Sequence, residues 1–194
     1  KSKMDNRFIP KEGGLTYASQ LCTLVNRFND GKLLFGDTHT TLEGKRPFTY
    51  GVAGYPEKHD EAMSPQSDMD ALKEKVDLGA GYIVTQMFFD NNKYFDFVEK
   101  CRKAGINVPI VPGLKPISTL NHMSMLPRTF HIDFPDKLVE KLRKCETNAD
   151  VRKVGVEWAI GQCEELRKAK VPSLHFYTMN AAAAIEEIMT SLNA

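Results

Sequence analysis

Tyr55 and His59 lie four residues apart in the run Tyr55-Pro56-Glu57-Lys58-His59, at the end of a β-rich stretch over 48–55. A phenol ring and an imidazole so placed suit a planar, phosphate-bearing ligand, through ring contact and hydrogen bonding. A lone histidine after a strand is otherwise a structural residue. Asp68 and Lys75 are seven apart with Leu72 between them, which puts both on one face of a helix. Their carboxylate and ammonium can hold hydroxyls and phosphates, or form a solvated stripe worth roughly a few tenths of a kcal/mol. Gln86 offers an amide donor and acceptor side by side, which serve a ligand edge or neighbouring backbone groups equally well. Lys115 stands where a Schiff-base aldolase would keep its lysine, although a solvated loop lysine is the plainer reading and the one preferred.

The elements that must position these groups alternate. Four runs nearly continuous in apolar or aromatic residues, 48–55, 82–88, 108–113 and 174–179, predict strands of a parallel sheet covered on both faces. Between the first two, Ser64 as N-cap and Pro65 at the first helical position open a helix whose Met69, Leu72, Val76 and Ala80 recur at helical spacing, closed by Gly79 and Gly81. A second helix over 91–104 places Tyr94, Phe95, Val98 and Cys101 inward and stops at Gly105. Further helices are predicted at 119–126, 135–143 and 150–169, the last with Val151, Val154, Trp158 and Cys163 as core candidates. Residues 15–28 form another ahead of the first strand, and 29–47 read as a polar surface excursion. Such alternation means an α/β fold, doubly wound or barrel. A (β/α)8 TIM barrel needs eight strands and about 250 residues, so four strands and a leading helix predict a partial barrel. The leading helix should itself follow a missing strand, so residues 1–194 read as the C-terminal portion of a single domain, about four βα units of the eight. Each strand ends in polar or special residues, and barrels build their sites on that face.

The 194 residues carry 26 Lys and Arg against 25 Asp and Glu, spread along the chain, so no field exists to collect nucleic acid or anionic lipid. Cys22, Cys101, Cys145 and Cys163 are widely spaced in helical-looking runs, which predicts reduced, buried thiols and no metal site. No run approaches the roughly 20 apolar residues of a membrane span, and Lys1–Pro10 is too polar for a signal peptide; a cytoplasmic protein is expected.

Four segments carry a family resemblance: Val52-Ala53-Gly54-Tyr55-Pro56-Glu57-Lys58-His59-Asp60-Glu61-Ala62, Thr85-Gln86-Met87-Phe88-Phe89-Asp90, Pro109-Ile110-Val111-Pro112-Gly113 and Leu174-His175-Phe176-Tyr177-Thr178-Met179-Asn180. In this order and spacing the chain resembles methylenetetrahydrofolate reductases from about Gly13 to Leu192. The resemblance implies reduction of 5,10-methylenetetrahydrofolate to 5-methyltetrahydrofolate in one-carbon metabolism. NADH or NADPH would deliver hydride to FAD, and both substrates would use one flavin face in turn. It implies FAD contacts from Tyr55, His59, Ala62, Asp68 and Lys75, a pterin contact from Gln86 and a folate contact from His122. Phe88 and Phe89 read as core.

The chain departs from the family pattern at Ala71 and Glu74, where the helix commonly offers further polar contacts, and at Ala181–Ala184, where an arginine commonly follows Asn180. The family's proton-donating glutamate and its Arg-Gly-Asp segment belong upstream of Lys1, so no general acid is assigned within these residues. A homo-oligomer or a complementing N-terminal fragment is expected as partner. The rival readings are an inactive or binding-only half-barrel, a flavin-dependent barrel of the proline dehydrogenase type, and the lysine-dependent aldolase.

Overall fold

A computed structural model describes residues 9–32, 46–179 and 182–193. Asn180, Ala181 and most of the 29–47 excursion lie outside the described residues. The chain runs α1 (Ala18–Asn29), β1 (Gly51–Gly54), α2 (Pro65–Asp77), β2 (Tyr82–Met87), α3 (Asn91–Lys103), β3 (Ile110–Leu114), α4 (His122–Phe130), α5 (Asp136–Leu142), α6 (Asn148–Lys168), β4 (His175–Phe176) and α7 (Ala183–Asn193).

The four strands lie side by side in sequence order, every neighbouring pair parallel. A doubly wound sheet reverses its order at a switch point; here the order never turns back, which is consistent with part of a barrel. Ile83, Ile110 and Leu114 face the helices and join one apolar cluster with Leu72, Tyr94, Phe97, Cys101, Cys163 and Ile188. Ile83 is fully buried, so truncation to alanine would cost about 2–5 kcal/mol. The opposite face is not covered as the apolar runs predict. Tyr82 is 44% exposed and Ala53 is exposed, with Val84 and Val111 half-buried. Among the described residues, the main apolar cluster joins the helices to one face of the sheet.

A second cluster of Met87, Phe89, Ile117, Leu126, Ile132, Leu138, Leu142 and Val151 gathers α4, α5 and the start of α6 at the carboxyl end of the strands. Here α6 comes against the β3–α4 connection. A Cβ on Gly155 would stand 1.9 Å from the Ile117 carbonyl oxygen, so only glycine permits the approach.

Several boundaries differ from expectation. β1 starts at 51 because the Asn29 side chain takes both backbone groups of Phe48, at 2.7 and 3.0 Å, and removes it from the ladder. β4 ends at Phe176, and Met179 is left-handed with φ 47°, which extended backbone cannot accommodate. α4 begins three residues later than predicted and runs through Pro127 to a left-handed cap at His131. Cys145 lies in the turn after α5 and is only half-buried, not within a helix, whereas the other three cysteines are buried. Burial raises Cys101 and Cys163 to about 11, which keeps both as inert thiols. α7 was hidden by its alanine run. Its Ala184 and Ile188 are buried and Leu192 packs beside them, a four-residue repeat on one face.

Candidate functional site

The β1–α2 loop is held in shape by its own charges. Lys58 adopts φ 77°, and its ammonium donates to the carbonyls of His59, Asp60 and Ala62 at 2.7, 3.2 and 2.7 Å. Asp68, in the first turn of α2, accepts the His59 N–H at 2.9 Å. α2 is itself fixed by a reciprocal cap, in which the Ser64 hydroxyl accepts from Ser67 N–H and the Ser67 hydroxyl accepts from Ser64 N–H. Tyr55 and His59 then meet edge to face, with ring centroids 4.5 Å apart. Burial pushes the Tyr55 hydroxyl up, and the Asp68 and Glu61 carboxylates add to it. Lys75 turns back to β1 and donates to the Ala53 carbonyl at 3.2 Å; burial holds its amine below the usual lysine range. Ala62 is half-buried beside the ring pair's loop.

On β2, Gln86 is half-buried and its side-chain oxygen accepts the Met87 N–H at 3.0 Å. The amide is therefore not free at both ends: its NH2 makes no hydrogen bond among the described residues. Next to it, Thr85 Oγ1 accepts the Gly113 N–H at 2.9 Å, and the Tyr177 hydroxyl donates to the Thr85 carbonyl at 2.8 Å. A Cβ on Gly113 would meet that carbonyl at 2.2 Å and the Tyr177 ring at 2.7 Å, so the absent side chain lets β4 reach across β3 to β2. Burial raises the Tyr177 hydroxyl, and nearby Tyr55 adds to the shift. The strand-end residues of β1, β2 and β4 thus share one neighbourhood.

His122 opens α4, and its Nδ1 accepts the Ser118 N–H at 3.2 Å. Lys115 overturns the expectation of a solvated lysine, being 4% exposed. Burial holds His122 below the usual histidine range and the Lys115 charge lowers it further.

Glu57 is a residue that sequence reasoning missed. Its Oε2 accepts the Asp133 N–H at 2.8 Å, while Oε1 is buried with no partner. Asp60 adds a contact 3.4 Å from His131 Nδ1. These bonds latch the β1–α2 loop to the segment after α4, across 76 residues of sequence. Nothing in a Pro-Glu-Lys run signals so distant a partner.

The cleft beneath the loop, between Tyr55, Pro56, Asp68 and Phe97, has a volume of about 50 Å³, against roughly 300–1,000 Å³ for a ligand pocket. That cleft is too small for a flavin; the groups that could offer one ring contact and a donor are the Tyr55 and His59 rings and the Gln86 NH2. The larger cavity, about 570 Å³ between α3, α5 and α6, is lined by none of the expected site residues.

The family model for methylenetetrahydrofolate reductase matches residues 2–193. The chain belongs to the methylenetetrahydrofolate reductase family. It is 35% identical over 193 residues to methylenetetrahydrofolate reductase 1 of Schizosaccharomyces pombe, covering 97% of this chain and 29% of that protein. To 5,10-methylenetetrahydrofolate reductase of Escherichia coli K12 it is 37% identical over 147 residues, 75% of this chain and 50% of the relative. The chain spans half or less of the length of these two relatives. A Clostridium thermocellum protein described as binding two copies of 5-methyl-5,6,7,8-tetrahydrofolic acid shares the fold, with a TM-score of 0.58 at 18% identity over 94% of this chain and 60% of that one. No helix among the described residues is long and apolar enough to cross a membrane.

Proposed function

We propose that this chain forms the C-terminal half of an eight-stranded reductase barrel that reduces 5,10-methylenetetrahydrofolate to 5-methyltetrahydrofolate with FAD and NADH or NADPH. The observation that carries this reading is the joining of strand ends: Tyr177, just after β4, bonds Thr85 of β2, beside Gln86, and Tyr55 directly follows Gly54, the β1 residue that pairs with Thr85. The relatives' names support the substrate, and the folate-binding C. thermocellum protein has the same fold. Relatives named for NADH and for NADPH both occur, so either nicotinamide suits the reading.

FAD would be held by the Tyr55–His59 pair, with Ala62 packing against it and α2 supplying Asp68 and Lys75. It would supply the hydride relay that no protein side chain can perform. The chain's own part is positional. Asp68 fixes the His59 backbone, Lys58 fixes the loop, and the Gln86 NH2 is free to donate to the pterin edge while its oxygen stays on Met87. His122 would contact the folate from α4. The glutamate that donates the proton, and the remaining strands, would come from sequence preceding Lys1 or from a complementing fragment.

The test uses the polypeptide carrying these residues with its upstream strands. It should bind FAD and oxidise NAD(P)H, with flavin reoxidation by 5,10-methylenetetrahydrofolate. Gln86→Ala should slow the folate half-reaction by about tenfold or more, the loss of one or two hydrogen bonds, and leave flavin reduction by NAD(P)H near wild type. A protein that takes up no flavin, or a Gln86→Ala variant that impairs both half-reactions equally, would sink the assignment.

A further inference from the structure

Lys58 holds a backbone conformation that glycine normally takes. Its φ of 77° is uncommon for a residue with a Cβ, and lysine has no short polar side chain to bond its own backbone there, as Asn and Asp do. The side chain instead turns back along the loop that it opens. Its Nζ reaches the carbonyl oxygens of His59, Asp60 and Ala62 at 2.7, 3.2 and 2.7 Å. An ammonium has three N–H donors and no more, so these three bonds occupy it completely.

The carbonyls depend on that charge. Those of Asp60 and Ala62 make no other hydrogen bond among the described residues, and the His59 carbonyl otherwise accepts only the Ala62 N–H, at 3.1 Å. Three oxygens turned towards one point bring the negative ends of three dipoles together, an arrangement that holds a cation and repels itself without one. His59 is the residue bound most fully into this turn. Its N–H donates to Asp68 at 2.9 Å, its carbonyl accepts from Lys58, and its Nδ1 accepts the Glu61 N–H at 3.1 Å. A neutral imidazole so engaged carries its proton on Nε2, the ring nitrogen that makes no hydrogen bond among the described residues. The Tyr55 ring then packs against it edge to face, 4.5 Å away.

We propose that the turn over 59–62 is a cation nest filled by the protein's own ammonium, and that Lys58 is the positioning residue of the Tyr55–His59 ring pair rather than a ligand for cofactor phosphate. A lysine next to a strand end invites the phosphate reading. The geometry opposes it, because no N–H of Lys58 is left to give. The nest recognises a primary ammonium and not the rest of the side chain, so a free alkylammonium ion should fill it once the side chain is cut back. This rests on reading the Tyr55–His59 loop as a flavin site, and adds what sets the pose of its two rings.

The test compares wild type, Lys58→Ala and Lys58→Gly in the complete polypeptide, upstream strands included. Alanine keeps the unfavourable φ and removes the ammonium, whereas glycine removes both, so a loss shared by the two variants belongs to the ammonium. FAD affinity is measured by flavin fluorescence at several salt concentrations, and amide exchange at Glu61 and Ala62 reports the turn without any ligand. Both variants should bind FAD roughly tenfold or more weakly, the loss of charged hydrogen bonds that hold the ring pair, with the wild-type dependence on salt because no phosphate contact has gone. The Glu61 and Ala62 amides should exchange faster, those in the middle of α2 at the wild-type rate. n-Propylammonium should move Lys58→Ala back towards wild type in both readouts, and n-propanol, of similar size but uncharged, should not. A flatter salt dependence in the variants would make Lys58 a phosphate ligand and overturn the proposal. So would wild-type affinity and exchange in Lys58→Ala, recovery of both in Lys58→Gly, or a loss that propylammonium restores no better than propanol. If wild type takes up no flavin while the exchange and rescue results hold, the flavin reading fails and the nest stands.

Discussion

Glu57 accepts the Asp133 N–H with one oxygen and keeps the other buried without a partner. Burial raises its carboxyl; the Asp133 N–H lowers it, the Asp133 and Asp90 charges raise it and Lys93 lowers it. A folded-state value above the unfolded one means that its contribution to stability is complete below the ordinary glutamate range and is lost as pH rises through the raised value. Glu57→Gln keeps an acceptor for Asp133 and cannot ionise. Urea unfolding should therefore find the variant as stable as wild type or more so at neutral pH, with the difference vanishing in acid; a variant destabilised equally at all pH values would contradict this. Tyr55 and His59 stand out in the sequence by type and by lying four apart after a strand, and the structure brings their two rings together. Glu57 and Lys115 do not, because their distinction lies in burial, which distant segments decide.

Elements were read most easily where one stretch of sequence holds both the periodic core positions and the stop signals. α2 and α3 came out within a residue or two for that reason. β1, β4 and α4 were displaced because their ends depend on remote bonds, such as Asn29 to Phe48, or on backbone handedness at Met179 and His131. The cap of α2 makes an element-scale prediction. Ser64→Ala removes the acceptor for Ser67 N–H and should cost about 1 kcal/mol in denaturant unfolding. Because the same helix presents Asp68 to His59, FAD affinity should fall with it, whereas Ser67→Ala, which leaves the Ser64 hydroxyl in place, should lose less of both. The α6 contact is stricter. Gly155→Ala would press a methyl into the Ile117 carbonyl and should destabilise by several times the roughly 1 kcal/mol that alanine normally gains over glycine within a helix.

At the scale of the molecule, the open face of the sheet and the edges at β1 and β4 govern behaviour outside a complete barrel. Expressed as these 194 residues alone, the chain should associate in a concentration-dependent way, seen by sedimentation, and Tyr82→Lys on that face should reduce the association. A chain that stays monomeric at all concentrations would argue against an open face. The fold class and strand number were legible from alternation, while the bare face was not, since uninterrupted apolar runs look the same whether covered or waiting to be covered. The two separate apolar clusters carry one more consequence. The sheet-and-helix cluster and the strand-mouth cluster need not open together, so native-state amide exchange should resolve two protection classes, with α4 and α5 exchanging as the weaker foldon. Ligands at the mouth would then slow exchange in that foldon first and leave the deeper amides of β2 and β3 almost untouched.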